Sequence, residues 1–449
     1  MVVDTTNVAS DILKRIDKTP YDKESVPQEK LDLDDKTRSS LFPWRGQFSP
    51  MFIELLLNEY SKPNDIVLDP FAGSGTTLFE SANKNLTCFG AELNPSAVLM
   101  SKTAQFVNVP LEERKNLGEQ AKVILDNIIK SNTWDLFSSL EDSKNNDSDE
   151  VKSMEELFKE MLNETDNYLI LHILANAFVR YKNYRKANGK EDMEKALNEH
   201  LNIVNSLPFI EKECFLFHTD ARNIPLADNT VNLVITSPPY INVFNYHQNN
   251  RPQMELLGWD LLEVAKSEMG SNRKHRQNRF LTAIQYSMDI FDTLLEINRL
   301  LKDDGRMIII VGRESKIRGT SLKNGRLVAA LAVGAGFDVE RIQERKFLNK
   351  FGETIYEDII HLLPAKDKNL LMDSFSRDVA VEVLREASLL EENKDVQSEL
   401  LDAINKVEKV KKSPIFEQPI NHSEQLENKC FLPLSRLYWS STYLLKGGE

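Results

Sequence analysis

A short apolar run, a glycine-containing loop and a helical pattern follow one another near the N-terminus and limit the fold most strongly. Asp65–Asp69 (DIVLD) is bounded by turn-forming residues, the loop Pro70–Gly75 follows, and a helical pattern begins at Thr76. Residues Thr87–Glu92 (TCFGAE) then predict a second strand. Strand, loop, helix and strand in this order form a βαβ unit, which implies a parallel sheet.

The same alternation returns later in the chain. Further strands are predicted at Cys214–Phe217, Val231–Thr236, Arg306–Val311, Phe337–Ile342 and Ile355–Leu362, and amphipathic helices are predicted from Pro50 to before Lys62 and over 283–301. This pattern is typical of an α/β protein with a doubly wound, mostly parallel, Rossmann-like sheet.

The chain has 449 residues, which exceeds the length that a single hydrophobic core usually supports, so several units are expected. The predicted units are a polar N-terminal arm over 1–40 with a short helix around Ala9–Ile16, an α/β catalytic domain formed by 41–110 and 207–363, a helical insertion over 111–206 interrupted by the polar stretch Ser138–Ser153, and a helical C-terminal region over 364–449 that includes the apolar segment Cys430–Leu445.

The composition excludes several classes of protein. No apolar run reaches the ~20 residues of a membrane helix, and the N-terminus lacks the apolar core of a secretion signal. The three cysteines, Cys88, Cys214 and Cys430, are far apart and form no CxxC pair, which argues against a structural zinc site or a disulfide framework. We therefore expect a cytoplasmic protein with reduced thiols and no bound metal.

The glycine loop is suited to holding a nucleoside cofactor. Glycines let the backbone approach a ligand, and the start of the following helix favours negative charge. Glu92, at the end of the second predicted strand, is placed to accept hydrogen bonds from both ribose hydroxyls, as acidic residues of nucleotide-binding α/β units do. Asp220, after another strand, is placed to bind an adenine amino group.

Two other cofactor classes fit this loop poorly. A nicotinamide site requires Gly-x-Gly-x-x-Gly, and the third glycine position here holds Leu78. A nucleoside triphosphate site requires a lysine before Ser or Thr in the loop, and the segment Gly73–Thr77 contains none. The sequence therefore favours neither a dehydrogenase nor a P-loop hydrolase.

The second informative motif is Thr236-Ser237-Pro238-Pro239-Tyr240, directly after a predicted strand. Two consecutive prolines stiffen the loop and favour extended geometry at the residues before them. The Ser237 hydroxyl and the Pro238 carbonyl would accept the two N–H groups of an exocyclic amine, and Tyr240 would stack on the base. This arrangement aims the amine lone pair at an electrophile without a strong base or a metal.

Together, DPFAGSGTT and TSPPY resemble the cofactor and catalytic motifs of the DNA amino methyltransferases, the N4-cytosine and N6-adenine enzymes of restriction-modification systems. The resemblance covers roughly residues 41 to 363 without the insertion. It implies S-adenosylmethionine as cofactor. The cofactor-binding residues implied by the pattern are Asp69, Pro70, Phe71, Gly73, Ser74, Gly75, Thr76, Thr77, Glu92 and Asp220, and the catalytic residues are Ser237, Pro238, Pro239 and Tyr240.

The resemblance also suggests the base and the order of the motifs. A leading serine in the catalytic tetrapeptide is commoner among N4-cytosine enzymes, so Ser237 favours cytosine over adenine. The segment Arg45–Pro50 is similar to the family segment that closes over the methionine end of the cofactor. Family members with a similar glycine loop often have the catalytic motif first, and this chain has the opposite order, which leaves the target-recognition region open.

The net charge of −13 requires that a DNA-binding face use local basic clusters. Two such clusters lie in the insertion and after the catalytic motif. The residues expected to contact nucleic acid are Arg251, Arg273, Lys274, Arg276, Arg279, Arg180, Lys182 and Arg185. The expected partner is double-stranded DNA with its target base flipped out of the stack, and further partners are a cognate restriction endonuclease or defence-system subunits. His247, in the same region, is expected to be a hydrogen-bonded loop histidine rather than a general base.

Several alternatives are weighed against this interpretation. A cytosine-C5 enzyme requires a nucleophilic cysteine after proline, and none of the three cysteines follows one. An N6-adenine enzyme, an RNA methyltransferase and an inactive DNA-binding subunit stay open, although the intact Glu92, Asp220, Ser237 and Tyr240 argue against an inactive protein.

Overall fold

The computed structural model describes residues 5–33, 37–44, 46–130, 160–161, 164–183, 189–241, 245–257, 259–271, 275–348, 352–367 and 370–416. The polar stretch Ser138–Ser153 and the apolar segment Cys430–Leu445 lie outside these ranges. No helix within these ranges is long and apolar enough to cross a membrane.

A seven-stranded sheet forms the centre of the molecule. Its strands are β1 Ile66–Asp69, β2 Thr87–Glu92, β3 Cys214–His218, β4 Val231–Thr236, β5 Leu301–Gly312, β8 Phe337–Leu348 and β9 Thr354–Pro364, and β6 Glu314–Ile317 pairs with β7 Thr320–Lys323 in a separate hairpin. The order across the sheet is β3-β2-β1-β4-β5-β9-β8. The first five strands are parallel, and β9 is antiparallel to both of its neighbours. The predicted doubly wound, mostly parallel sheet is confirmed.

Helices cover both faces of this sheet. They are α1 Thr5–Asp17, α2 Gln28–Asp32, α3 Pro50–Tyr60, α4 Thr76–Asn83, α5 Pro95–Ser101, α6 Leu111–Lys130, α7 Tyr168–Lys182, α8 Gly189–Ser206, α9 Arg251–Leu256, α10 Leu261–Ser267, α11 Phe280–Leu300, α12 Asn324–Gly334, α13 Ser374–Leu390 and α14 Lys394–Asn405. Alternate residues of β1 serve the two faces: Val67 packs with helices α3 to α8, and Leu68 packs with α1 and α11 to α14. Since both faces are covered, β1 is buried at all four positions, as strands of parallel sheets are.

The strand order places a ligand site at the ends of β1 and β4. The chain leaves β1 toward β2 on one side, whereas β4 lies on the other side of β1. The loops after these strands therefore diverge and leave a crevice at the carboxyl edge of the sheet. Asp69 ends β1 and Thr236 ends β4, so the two sequence motifs meet at this crevice.

The helical insertion extends the core on one face of the sheet. Residues of α6, α7 and α8 share one apolar cluster with β1, β2 and β4. The Asn176 side chain donates to the Leu99 carbonyl at 3.1 Å, and the Thr103 hydroxyl lies 3.2 Å from the His172 ring. The described part of this helical segment is thus joined to the central α/β unit by buried polar contacts as well as by apolar packing.

The N-terminal helix also belongs to the core. The sequence predicts a short helix around Ala9–Ile16 within a polar arm, and the structure has a helix at Thr5–Asp17. Its apolar side, with Ala9, Leu13 and Ile16, is buried against α12 and α13. Residues 5–17 therefore form part of the second helical layer and are not a detached arm.

Replacing Leu13 by alanine tests this placement. Leu13 is 0% exposed, so the truncation removes apolar contacts and leaves a cavity, and it should lower the free energy of unfolding by about 2–5 kcal/mol. Asp11→Ala on the exposed side of the same helix should change it by less than about 0.5 kcal/mol. Urea denaturation measures both. Equal stability of Leu13→Ala and the wild type would contradict the placement of this helix.

Candidate active site

An open cavity lies at the carboxyl ends of β1, β2, β3 and β4, and its empty space of about 890 Å³ includes solvent at its mouth. Of the residues that the sequence predicts for the site, Pro70, Phe71, Gly73, Ser74, Thr76, Glu92, Asp220, Ser237 and Pro239 line this cavity. The remaining five, Asp69, Gly75, Thr77, Pro238 and Tyr240, are not part of its lining. The two sequence motifs therefore share one cavity.

Asp69 is buried behind the cavity wall and does not line the cavity. Its Oδ1 accepts hydrogen bonds from the Thr236 hydroxyl at 2.6 Å and from the Phe71 N–H at 3.1 Å, and its Oδ2 accepts from the Thr77 hydroxyl at 2.7 Å. Burial raises the pKa of Asp69 to about 6. Asp69 and Thr77, which the sequence assigns to cofactor contact, thus hold the glycine loop and tie it to the end of β4.

The two glycines of the loop are required by different structural constraints. Both adopt positive φ, +52° at Gly73 and +90° at Gly75. A Cβ on Gly75 would lie 2.9 Å from the Ser101 Cα, so Gly75 is required by the approach of α5 and not by a ligand. Gly73 lines the cavity, and its N–H donates to Glu92 Oε2 at 2.8 Å.

Glu92, which the sequence predicts to accept the ribose hydroxyls of the cofactor, lines the cavity. It ends β2, and its Oε1 accepts from the N–H groups of Leu93 and Asn94 at 2.9 Å and 2.7 Å. These donors and the Gly73 N–H fix the carboxylate at the cavity wall. Burial raises the pKa of Glu92 to about 7, with the nearby Asp69 acting in the same direction.

Asp220 follows β3 and also lines the cavity. Its Oδ1 accepts from the Arg222 Nε–H at 2.8 Å and its Oδ2 accepts from Arg222 Nη2 at 2.7 Å. The carboxylate is almost fully buried, and the paired guanidinium balances its charge. The sequence singles out Asp220 but not Arg222.

An aromatic pair lines one wall of the cavity. The rings of Trp44 and Tyr246 stack at 6.2 Å with an interplanar angle of 19°, and both side chains line the cavity. The Ser74 hydroxyl donates to Gln47 Oε1 at 2.8 Å, so the predicted closing segment does contact the glycine loop. Arg45 of that segment lies outside the described residues. Trp44 was missed by sequence reasoning.

Glu268 lines the cavity beside this aromatic pair and was also missed. Its Oε1 accepts from the His247 N–H at 2.6 Å, and its Oε2 lies 2.7 Å from His247 Nδ1. His247 is fully buried, so it is a hydrogen-bonded loop histidine, as the sequence suggests. No pattern near Glu268 in the sequence indicates this contact, because its partner lies on a separate loop.

The catalytic motif forms a chain of hydrogen bonds. The Ser237 hydroxyl donates to the Tyr240 hydroxyl at 3.5 Å, which donates to Glu357 Oε1 at 3.4 Å. Arg345 pairs with Glu357 at 3.1 Å. The Tyr240 ring lies against Gly312, where a Cβ would approach it to 3.2 Å. Burial and Glu357 raise the pKa of Tyr240 well above its usual value, so its phenol stays protonated at neutral pH.

The predicted nucleic-acid-binding residues differ in their surroundings, and Lys182 is half-buried. Arg180 and Arg251 are engaged by Glu199 at 3.2 Å and Glu255 at 2.7 Å, whereas Arg276 and Arg279 are exposed. Arg185, Arg273 and Lys274 lie outside the described residues.

The structure brings the basic end of α7 to the loop that follows the catalytic motif. The Asn183 amide, next to Lys182, donates to Asn250 Oδ1 at 3.0 Å, and Asn250 donates to the Ser96 hydroxyl at 2.6 Å. Lys182 and Arg251 are the chain neighbours of these two asparagines, so the contact brings one cationic residue of the insertion near one of this loop.

Lowering the pH should weaken cofactor binding through Glu92. In the ribose-binding role that the sequence predicts for Glu92, only the ionised carboxylate would accept both hydroxyls, and its pKa is about 7, so affinity should fall as the pH decreases from about 8 to about 6. Calorimetry with S-adenosylhomocysteine across this range measures the effect. Glu92→Gln should bind more weakly and with a flatter pH profile. An equally steep profile in that variant would show that another group is responsible.

The chain is similar in sequence to a DNA methylase family and to type II methyltransferases. A family model described as DNA methylase, covering N6 and N4 methyltransferases, matches residues 13–105. The type II methyltransferase M.MjaII of Methanocaldococcus jannaschii is 20% identical over 390 residues, 62% of this chain and 72% of the relative. M.BsoBI of Geobacillus stearothermophilus is 23% identical over 309 residues, 58% of this chain and 61% of the relative. M.AvaI of a Nostoc strain is 20% identical, with 56% and 61% covered.

Solved structures are more distant. An S-adenosylmethionine-dependent methyltransferase from Methanosarcina mazei aligns with 71% of this chain and 98% of its own, at 11% identity and a TM-score of 0.30. The fold assignment therefore depends on the strand order described above. The matched family model and the type II methyltransferase relatives make the chain similar to the DNA amino methyltransferases, whose cofactor is S-adenosylmethionine.

Proposed function

We propose that this protein transfers a methyl group from S-adenosylmethionine to the exocyclic N4 amino group of cytosine, in a base flipped out of double-stranded DNA at a specific sequence. The biological context proposed is restriction-modification, since the relatives are named type II methyltransferases. The second candidate is the N6 amino group of adenine, which the same family includes.

The hydrogen-bond chain from Ser237 to Glu357 carries the proposal. Because the Ser237 hydroxyl donates its proton to Tyr240, its lone pairs are available to an incoming N–H group. Tyr240 in turn donates to Glu357, so the chain ends on a carboxylate. A serine oriented in this way at the cavity wall is an acceptor suited to an amine and not a nucleophile.

In this proposal, the Ser237–Tyr240 motif accepts the hydrogens of the amine. The Ser237 oxygen takes one N–H and the Pro238 carbonyl takes the other, which draws the nitrogen lone pair away from the ring and toward the cavity. When bound, S-adenosylmethionine supplies a methyl group on a positively charged sulfur, which leaves as a neutral thioether. Positive charge that develops on the amine is stabilised by these acceptors, and the methylated nitrogen then releases one proton to the surrounding water.

Cofactor contacts are assigned to the residues that line the cavity. Glu92 would accept the ribose hydroxyls and Asp220 the adenine amino group. Backbone at Gly73 and the side chains of Ser74 and Thr76 would surround the methionine part. Trp44 and Tyr246 form an aromatic wall, and such rings favour a neighbouring cation such as a sulfonium.

The preference for cytosine over adenine is supported by Ser237 at the first position of the catalytic tetrapeptide. An RNA substrate is a further candidate, because single-stranded bases need no flipping. DNA is favoured by the DNA methylase family match and by the names of the relatives.

Replacing the serine separates chemistry from cofactor binding. Ser237→Ala removes the oriented acceptor and should lower the rate of tritiated methyl transfer to DNA by at least about 100-fold. Because the variant differs from the wild type by one hydroxyl, affinity for S-adenosylhomocysteine should stay within about three-fold of the wild type. Ser206→Ala, at the end of α8, serves as the control and should transfer normally. Undiminished transfer by Ser237→Ala would refute the assignment of this loop.

The exposed arginines test the DNA-binding face. Arg276→Ala with Arg279→Ala should weaken binding to DNA duplexes of any sequence and should reduce the slope of log affinity against log salt by about 1 for each phosphate that these arginines neutralise. Lys14→Ala removes an exposed cation from α1, for which no DNA contact is proposed, and should leave the slope unchanged. Fluorescence anisotropy at several salt concentrations measures both. Identical slopes in all three proteins would place the DNA elsewhere.

A further inference from the structure

A segment from the C-terminal region, Lys411–Phe416, lies against the wall of the cofactor cavity. Residues of the α11 helix hold its start: the Gln285 side chain donates to the Lys411 carbonyl at 2.7 Å, and Lys412 pairs with Asp292 at 2.8 Å. We call Lys411–Phe416 the docking segment. Its position is notable because nearly two hundred residues separate it in sequence from Asp220, which it reaches.

A buried aspartate fixes the centre of the docking segment. Ser413 donates to Asp289 through both its backbone N–H, at 2.9 Å to Oδ1, and its hydroxyl, at 2.5 Å to Oδ2. Asp289 lies on α11 and is fully buried, and Ser413 is nearly so. Two hydrogen bonds between one residue pair set both the position and the rotation of the segment.

Arg222 joins the docking segment to the cavity wall. Its guanidinium donates to the carbonyls of Ser413 and Pro414, at 2.8 Å each. The same group donates to both oxygens of Asp220, and Nη1 also donates to Asp289 at 3.1 Å. An arginine side chain has five N–H donors in a fixed planar arrangement, and each has an acceptor here. Lysine could not reproduce this set of contacts.

The docking segment also contacts Asp220 directly. The Phe416 N–H donates to Asp220 Oδ2 at 3.1 Å, and its ring lies 5.1 Å from the ring of His218 at the end of β3. Together with the Arg222 backbone N–H at 3.0 Å, four donors hold the two oxygens of Asp220. The Phe416 contact is the longest of the four, and an adenine amino group would share or replace it.

We propose that the docking segment and Arg222 position Asp220 for the 6-amino group of the cofactor, and thereby set the preference for adenine over a 6-oxopurine. Arg222 and Ser413 are positioning residues, since they act through Asp220. The reason is electrostatic: a fixed carboxylate attracts an amino group and repels a carbonyl oxygen at the same position. The inference depends on the proposed adenine contact of Asp220 and is independent of the DNA substrate.

Binding of two cofactor analogues tests this inference on the full chain without DNA. S-adenosylhomocysteine carries the amino group, and S-inosylhomocysteine carries a carbonyl in its place. The wild type should prefer the first by at least about ten-fold. Arg222→Lys keeps the charge but loses the planar fork, and it should bind S-adenosylhomocysteine about ten-fold more weakly, with a preference reduced by about five-fold.

Ser413→Ala is a second variant, included in case Arg222→Lys fails to fold. It removes only one hydroxyl and should reduce the preference for S-adenosylhomocysteine by about three-fold. Ile415→Ala is the matched control, because this side chain of the same segment is 49% exposed, and both affinities should stay at wild-type values. Thermal melting without ligand checks that each variant is folded.

A wild type that does not distinguish the two analogues would overturn the inference. So would variants that lose affinity for both analogues equally, since that result indicates a purely structural role. Neither result bears on methyl transfer by Ser237, which the DNA assay measures separately.

Discussion

The carboxylate of Asp69 is the contact on which the site depends. It accepts from Thr77 and Phe71 of the glycine loop and from Thr236 at the end of the neighbouring β4, so one buried side chain fixes the cofactor loop relative to the catalytic loop. The parallel register makes this contact available, because β1 and β4 pair directly and end at the same edge. Methyl transfer requires donor and acceptor to be held at a short and constant separation, and the Asp69 contact holds the walls of both subsites.

Hydrogen-bond donors hold each of the three acidic side chains that line the cavity. Glu92 is held by three backbone N–H groups, Asp220 by Arg222 and the docking segment, and Glu268 by His247. A cationic cofactor with several hydrogen-bond donors suits such a lining. Distant parts of the chain therefore contribute to one cavity, and the C-terminal region contacts the cavity wall as well as the core.

The sequence predicts the centre of the fold well and its periphery less well. Thr87–Glu92 and Val231–Thr236 have the predicted bounds because buried parallel strands appear as apolar runs between turn formers. The hairpin β6–β7 was missed, since its turn at Arg318 and Gly319 follows no apolar alternation. The prediction for β8 ended at Ile342, whereas the strand continues to Leu348, because its second half is stabilised by pairing with β9 and not by its own pattern. In the site, Asp69 was assigned to the ligand from its motif, and the roles of Trp44 and Arg222 depend on partners that only the tertiary structure brings near.

The central claim is that this cavity methylates an exocyclic amino group in DNA, and sequencing the DNA of a host that expresses the protein tests it most directly. The method should distinguish N4-methylcytosine, N6-methyladenine and C5-methylcytosine. Our account predicts N4-methylcytosine within one recurring sequence, and none in a host that expresses Ser237→Ala. Methylation at cytosine C5, or no new methylation with a folded protein that binds its cofactor, would contradict the account.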